Sequence, residues 1–182
     1  ISLKTDEIRF AEKILDSHNL NNKLLIGIQA VSFPTKDFRD WPIKYFVELC
    51  KNIIIQDPNV HFLIYGGPSP QEKNKLEVLF NELIENSTLL AGMPLRETAA
   101  LMSRTNLYIG VDTGPSHIMS AFNIPMIVLF HCKLKSKIYG AIDHPYYFPI
   151  DHPSADNCRE ESPMSDISVT TVLKEVNKAL CF

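Results

Sequence analysis

The chain has 182 residues, of which 45% are hydrophobic and 21% are charged, and these proportions are typical of one well-buried domain with a short appendage. Its formal net charge of -3 gives no electrostatic basis for a nucleic-acid partner. No apolar run approaches the roughly 20 residues that span a bilayer, and no secretory signal pattern opens the chain.

The beginning of the chain predicts a helix that stands apart from the rest. Apolar residues recur at helical spacing over residues 2–19, and Asp6 and Glu7 lie near the start, where the helix dipole favours acidic side chains. We expect a lead-in segment over residues 1–22 and a single domain over residues 23–182. Because the chain starts at Ile1 and enters this helix at once, we expect it to be part of a longer polypeptide.

From residue 23 onward, short apolar runs alternate with amphipathic segments. Strands are predicted at 24–28, 60–65, 88–90, 107–111 and 126–130. Helices are predicted at 42–55, 71–85, 95–104, 115–123 and 166–180. This alternation predicts an α/β fold with a doubly wound parallel sheet and right-handed crossovers. Residues 143–157 are rich in Pro, His and Tyr and are expected to be irregular.

Several features restrict the chemistry. No Gly-X-Gly-X-X-Gly follows the first strand, which disfavours a nicotinamide or flavin enzyme. Three lysines alternate along a predicted extended segment after the last strand and face either phosphate or, as we favour, water: Lys133, Lys135 and Lys137. Four histidines are assigned to the surface or to packing: His18, His61, His144 and His152.

The cysteines are widely spaced and include no Cys-X-X-Cys pair. This spacing predicts neither a structural zinc site nor a disulfide framework, and a reducing compartment is expected. The four residues are Cys50, Cys132, Cys158 and Cys181.

The turn between the fourth strand and its helix reads Asp-Thr-Gly-Pro-Ser-His over residues 112–117. Amides at the start of such a helix favour an anion such as a diphosphate. Gly114 allows close approach, and the side chains of Thr113, Ser116 and His117 add donors. We expect Asp112 to cap backbone N–H groups or to accept from sugar hydroxyls. A plain helix cap followed by a surface histidine is the alternative.

Together with Arg-Asp-Trp-Pro at residues 39–42 and Tyr-Gly-Gly-Pro at residues 65–68, this turn resembles the carboxyl-terminal domain of family 9 glycosyltransferases. These are the ADP-heptose:lipopolysaccharide heptosyltransferases, and the resemblance covers residues 24–180. It implies the Rossmann-like donor-binding half of a GT-B enzyme, whose amino-terminal acceptor domain lies outside this chain. Transfer in this family inverts the anomeric centre and is metal-independent, so neither a metal nor a cofactor is expected beside the ADP-sugar donor.

The resemblance also implies residue roles. Thr35 matches a phosphate-contacting threonine, and Arg39 replaces a lysine that neutralises the leaving diphosphate, where its planar fork permits a bidentate contact. Asp112 is implied near the sugar. The other donor-binding residues implied are Gly66, Gly67, Gly92, Met93, Thr113, Gly114, Ser116 and His117. Arg39 is the only catalytic residue expected here, because the general base belongs to the absent domain, and the chain alone is expected to bind donor weakly without turnover.

The chain departs from the family at two places. His131-Cys132-Lys133 stands where many relatives have Gly-Pro-Thr. Pro68 stands near the position where some members carry an acidic residue for the nucleotide, and Glu72 is only a weak substitute. The sequence therefore predicts the fold more firmly than it predicts which base the nucleotide carries.

The expected function is transfer of heptose from ADP-heptose to the lipopolysaccharide inner core, using a lipid-linked saccharide acceptor. The expected location is cytoplasmic, with peripheral contact to the inner membrane. Two alternatives stay open, namely a nucleotide-sugar epimerase of the same architecture and a non-catalytic nucleotide-sugar-binding module. A hydrolase using Ser116 and His117 is disfavoured because neighbouring helical residues do not face each other. A metal site at Asp112 and His117 lacks further ligands.

Overall fold

The computed structural model describes residues 1–154 and 158–181. Its centre is a six-stranded sheet in which every pairing is parallel, with strand order β3-β2-β1-β4-β5-β6. The strands are β1 Leu24–Gln29, β2 Val60–Gly66, β3 Ser87–Ala91, β4 Leu107–Val111, β5 Met126–Phe130 and β6 Tyr147–Asp151. The order reverses between β1 and β4, which is the switch point where open α/β sheets bind ligands. The predicted doubly wound parallel sheet is confirmed.

Helices cover both faces of the sheet. One layer contains α2, α3 and α7, and the other contains α1, α4 and α5. The α-helices are α1 Thr5–Ser17, α2 Ile43–Gln56, α3 Pro70–Glu82, α4 Leu95–Met102, α5 Gly114–Met119, α6 Ser136–Tyr139 and α7 Val169–Ala179. Short 3-10 turns occupy Pro34–Arg39, Ile84–Asn86 and Met164–Asp166. No helix in this described part of the chain is long and apolar enough to cross a membrane.

The strands separate two cores. Ile26 and Ile28 of β1 enter the core beneath α2, α3 and α7, whereas Leu25 enters the opposite core, as the period of two in a strand requires. Trp41 is fully buried before α2, and its indole N–H donates to the Ile167 carbonyl oxygen at 2.9 Å. This bond ties the carboxyl-terminal segment to the first βα unit.

The structure corrects the expectation for residues 143–157, because β6 lies within them. β6 pairs with β5 from Met126↔Tyr147 to Phe130↔Asp151. It is an edge strand, where a residue without an N–H donor such as Pro149 is tolerated. Residues 155–157 of the same segment lie outside the described residues.

The segment after β5, which carries the three lysines, was predicted to be extended, but only part of it is. Its last part forms the short helix α6, whose first residue, Ser136, donates its backbone N–H and its hydroxyl to the Asp151 carboxylate at 2.8 and 2.7 Å. The three lysines of the segment are all exposed. Their alternation therefore does not reflect a strand.

The prediction for the cysteines is wrong in one respect. Cys132 and Cys158 are joined by a disulfide, although 26 residues separate them in the sequence. They meet only in the folded chain, where Cys132 follows β5 and Cys158 follows β6, so their spacing along the sequence carries no signal. Cys50 is free and buried, and Cys181 is free and exposed.

His61 on β2 is a buried titratable group. It is 9% exposed, and its Nε2 lies 2.9 Å from the Thr88 hydroxyl oxygen on β3. Burial, with smaller contributions from Lys23 and His18, lowers the pKa of His61 from 6.5 to about 4. The folded chain thus holds this proton less tightly than the unfolded chain, and protonation favours unfolding.

We expect His61 to cause a loss of stability as the pH falls from 6.5 toward 4, and no loss above that window. His61→Gln keeps a polar group but cannot be protonated. Its free energy of unfolding should therefore fall by roughly 1–3 kcal/mol less than that of the unaltered chain over this pH range. Urea unfolding at several pH values measures the difference, with His144→Gln, at a half-buried histidine that does not contribute to the shift at His61, as the control. Parallel pH profiles for His61→Gln and the unaltered chain would contradict the assignment.

Candidate functional site

An open cleft of about 470 Å³ lies at the switch point of the sheet. Its volume falls within the range of small-molecule sites. Its walls come from the loop after β1, the loop after β2 and the turn after β4. Of the residues predicted to bind a donor, four line this cleft: Arg39, Gly67, Thr113 and Gly114.

Arg39 crosses from the first loop to the turn after β4. Its Nη1 donates to the Asp112 carbonyl oxygen at 3.2 Å and lies 3.8 Å from the Asp112 carboxylate. The guanidinium carbon is 5.6 Å from the centre of the Phe38 ring, within cation–π range. The side chain is 23% exposed, so its positive charge reaches the cleft beside the turn.

Hydrogen bonds within the first loop fix its shape. The Asp40 carboxylate accepts from the backbone N–H and the hydroxyl of Ser32, each at 2.7 Å. The 3-10 turn that carries Arg39 lies between these two residues. Buried Trp41 anchors the far end of the loop. The position of Arg39 is therefore set by a loop whose two ends are hydrogen-bonded to each other and anchored in the core.

The turn after β4 leaves the Gly114 amide available to a ligand. The N–H groups of Ser116 and His117 both donate to the Thr113 carbonyl oxygen, at 3.0 and 3.4 Å. The N–H of Gly114 has no acceptor in the described part of the chain. A Cβ built on Gly114 meets nothing within 4 Å, and its backbone φ is not positive, so the fold does not require glycine there. Glycine at this position instead keeps the cleft open.

Asp112 is buried beneath this turn. Its carboxylate lies 3.5 Å from His117 Nε2 and 3.8 Å from Arg39. Burial raises the pKa of Asp112, and the opposing effects of His117 and Arg39 are smaller because both distances exceed hydrogen-bond length. Asp112 does not cap the helix, since Thr113 is the N-cap residue and no side chain bonds there. Of its two expected roles, the cap is absent.

Two buried polar atoms at the cleft have no partner. Among the described residues, Gln29 Oε1 and Arg39 Nε are buried and unpaired, and both residues line the cleft. Buried polar atoms are nearly always hydrogen-bonded, so each exception indicates a strained or functional position. Their location supports the cleft as the functional site.

Other predicted residues, Asp112 among them, do not line the cleft. The Ser116 hydroxyl donates to the Val111 carbonyl oxygen at 2.8 Å and lies 3.0 Å from the Tyr108 hydroxyl, so its hydrogen bonds are used inside the protein. Thr35 is exposed on the 3-10 turn but does not line the cleft. The imidazole of His117 is 57% exposed beside Asp112.

The glycines at the end of β2 and directly after β3 have structural contacts. Gly66 accepts a hydrogen bond from the Gly92 N–H at 2.9 Å, and a side chain on Gly66 would collide with Leu76. Gly92 has a φ of 76°, which favours glycine. Met93 packs against the core on the α1, α4 and α5 side of the sheet. None of these three residues lines the cleft.

Two charged residues of the cleft were not among the predicted site residues. Glu72 is 7% exposed on the first turn of α3, and its carboxylate accepts from the Gly67 N–H at 2.8 Å. Lys36 lines the cleft on the same loop as Arg39. A charged residue at the start of the helix after Gly-Gly-Pro-Ser-Pro was the available signal for Glu72.

Residues 2–174 match the model of glycosyltransferase family 9 (heptosyltransferase). The chain belongs to this family. The lipopolysaccharide core heptosyltransferase OpsX of Haemophilus influenzae is 25% identical over 97% of this chain and 49% of its own length. The predicted family is thus confirmed.

Solved structures confirm the fold of this family 9 chain. The family 9 glycosyltransferase of Veillonella parvula superposes with a TM-score of 0.81 at 21% identity, covering 100% of this chain and 53% of its own. The E. coli heptosyltransferase WaaC with ADP superposes with a TM-score of 0.73 at 18% identity, covering 93% and 48%. The family 9 chain therefore has the GT-B-type α/β fold and spans about half the length of the relatives it matches.

We expect Gly114→Val to retain stability and lose ligand binding. The added methyl groups would extend into the cleft without touching the protein, so the free energy of unfolding should change by less than about 1 kcal/mol. The same groups would cover the free amide, and affinity for ADP should fall by about 10-fold or more. Thermal unfolding and calorimetric titration measure the two effects. Equal ADP affinity in both proteins would show that the ligand binds elsewhere.

Proposed function

We propose that this chain is the donor-binding half of a glycosyltransferase that transfers heptose from ADP-heptose to the lipopolysaccharide inner core. Its family and the names of its relatives support transfer over the epimerase and the non-catalytic module. The observation that carries the proposal is the Arg39 guanidinium held over the turn whose Gly114 amide is unpaired.

This arrangement suits a diphosphate. Arg39 and Lys36 line the cleft as cations, and the Gly114 N–H adds a fixed donor. Charge builds on the diphosphate as its bond to the sugar breaks, and donors already aimed at that charge lower the barrier. A guanidinium offers two parallel N–H groups to phosphate oxygens, which supports stabilisation of the leaving group without a metal ion.

The other end of the cleft suits a nucleoside. Glu72 holds a buried carboxylate there, and Gly67 and Pro68 leave the wall without bulky side chains. A carboxylate accepts hydrogen bonds from ribose hydroxyls. Because the related WaaC structure contains ADP, we propose ADP as the nucleotide.

Asp112 and His117 are proposed to face the sugar. The buried carboxylate of Asp112 accepts from sugar hydroxyls, and the exposed imidazole of His117 donates to an anionic oxygen. In the transfer, an acceptor hydroxyl loses its proton to a base, its oxygen bonds to the anomeric carbon, and the bond to ADP breaks. The base is proposed to lie in the amino-terminal half of the longer protein. The acceptor is a lipid-linked saccharide, reached at the cytoplasmic side of the inner membrane.

We expect Arg39→Ala to weaken ADP binding by roughly 10- to 100-fold, because one charge-assisted contact to the diphosphate is lost. Arg39→Lys should recover part of the affinity, since it retains the charge without the fork. The control is Arg104→Ala, which removes the same charge from an exposed pair with Glu12. Calorimetric titration measures each affinity.

The same titration with UDP and GDP tests the base. ADP should bind more tightly than either if the nucleoside end reads adenine. Unchanged affinity in Arg39→Ala would contradict the diphosphate site, whereas equal affinity for the three nucleotides would contradict only the assignment to ADP.

A further inference from the structure

A second polar cluster lies where β5 ends, outside the cleft. His131 and Cys132 follow β5 directly, and Cys158 opens the segment that leads to α7. One ring nitrogen and the two sulfurs all lie within 4.8 Å of one another. His131 and Cys132 are buried, at 1% and 5% exposure. The proposed transfer uses none of these groups.

The hydrogen bonds of His131 determine its tautomer. Nε2 lies 3.0 Å from the Ser162 carbonyl oxygen, so it carries the proton and donates. Nδ1 therefore carries the single lone pair of the ring, which faces the Lys133 N–H at 3.3 Å, a distance beyond the usual hydrogen-bond range. A metal ion at Nδ1 displaces this long contact, and Nδ1 lies 3.9 Å from Cys132 Sγ. A histidine that donates one ring N–H to a backbone carbonyl and presents the other nitrogen is the usual arrangement of a metal-binding imidazole.

The two sulfurs have a second covalent state. A dithiol reductant converts the Cys132–Cys158 disulfide into two thiols and is itself oxidised to a disulfide, so it supplies both electrons and both protons. Two thiols and an imidazole form a soft set of ligands that suits Zn²⁺. Paired cysteines in proteins from reducing compartments serve more often as metal ligands than as structural disulfides.

We propose that reduced Cys132 and Cys158 bind one Zn²⁺ ion together with His131 Nδ1, with water as the fourth ligand. Each thiol loses its proton as its sulfur binds the ion. The disulfide and the zinc site are alternative states of the same pair, because a sulfur in the disulfide is not a thiolate.

The ion has a structural place in the molecule. It joins the end of β5 to Cys158, and the nearby Ser162, which bonds to His131, lines the same surface pocket as Phe38. The ring of His131 contacts the Phe38 ring edge-on, with the centres 5.0 Å apart. Phe38 in turn lies beneath the Arg39 guanidinium. The zinc site therefore stabilises the position of Phe38, against which the Arg39 guanidinium packs.

A metal titration of the unaltered chain tests the proposal. The chain is reduced with a phosphine, which becomes the phosphine oxide as water supplies the protons, and is then titrated with Co²⁺ without oxygen. One equivalent should produce the sulfur-to-cobalt absorption and the intense visible bands of a tetrahedral site, and Zn²⁺ should abolish both. The oxidised chain should show neither. A reduced chain that binds less than one equivalent, or shows no sulfur-to-cobalt band, would overturn the proposal.

Substitutions identify the ligands. Cys132→Ser and Cys158→Ser should each lower Zn²⁺ affinity by at least about 100-fold, and His131→Gln by about 10-fold or more. Cys181→Ser, which removes an exposed free thiol, is the matched control and should bind as the unaltered chain does. Equal losses in Cys181→Ser and Cys132→Ser would place the ion elsewhere. If a variant fails to fold, the comparison of oxidised and reduced unaltered chains decides.

Discussion

The hydrogen bond from Arg39 to the Asp112 carbonyl oxygen joins the first crossover to the turn after β4, across the point where the strand order reverses. The cleft depends on this link because its two walls are otherwise separate loops. Asp40 and Trp41 hold the loop that carries the arginine. The cation thus lies beside the free Gly114 amide before any ligand arrives, and preorganisation of this kind reduces the entropic cost of binding.

The parts of the fold that the sequence predicted share one property. Strands β1, β2, β4 and β5 are buried on both faces and have mostly apolar sequences, the usual pattern of parallel strands covered by helices. The edge strand β3 is less fully buried but keeps a short apolar run at its end. β6 breaks that pattern because most of its residues are not buried and it contains an internal proline, Pro149. Its existence depends on pairing with β5, a long-range interaction that no local pattern records.

The site divides in a similar way. Arg39, Gly67, Thr113 and Gly114 could be predicted because loops after parallel strands meet at one edge of the sheet. Ser116 lies on the same turn, yet its hydroxyl is used by Val111 and Tyr108, whose positions relative to it follow only from the packed structure. The contact between Cys132 and Cys158 could not be predicted either, because it also follows only from the packed structure. The sequence indicated Glu72 only as a substitute for an acidic residue of the family, and its bond to the Gly67 N–H was not predicted.

The central claim is that a nucleotide's diphosphate lies between Arg39 and the Gly114 amide. Amide chemical shifts of the ¹⁵N-labelled chain, recorded while ADP is added, test it most directly because they report each position separately. The account predicts the largest changes at Gly114 and Thr113, a second group of changes at Gly67, and little change around α7. Saturable changes confined to α7, with those three amides unmoved, would contradict it.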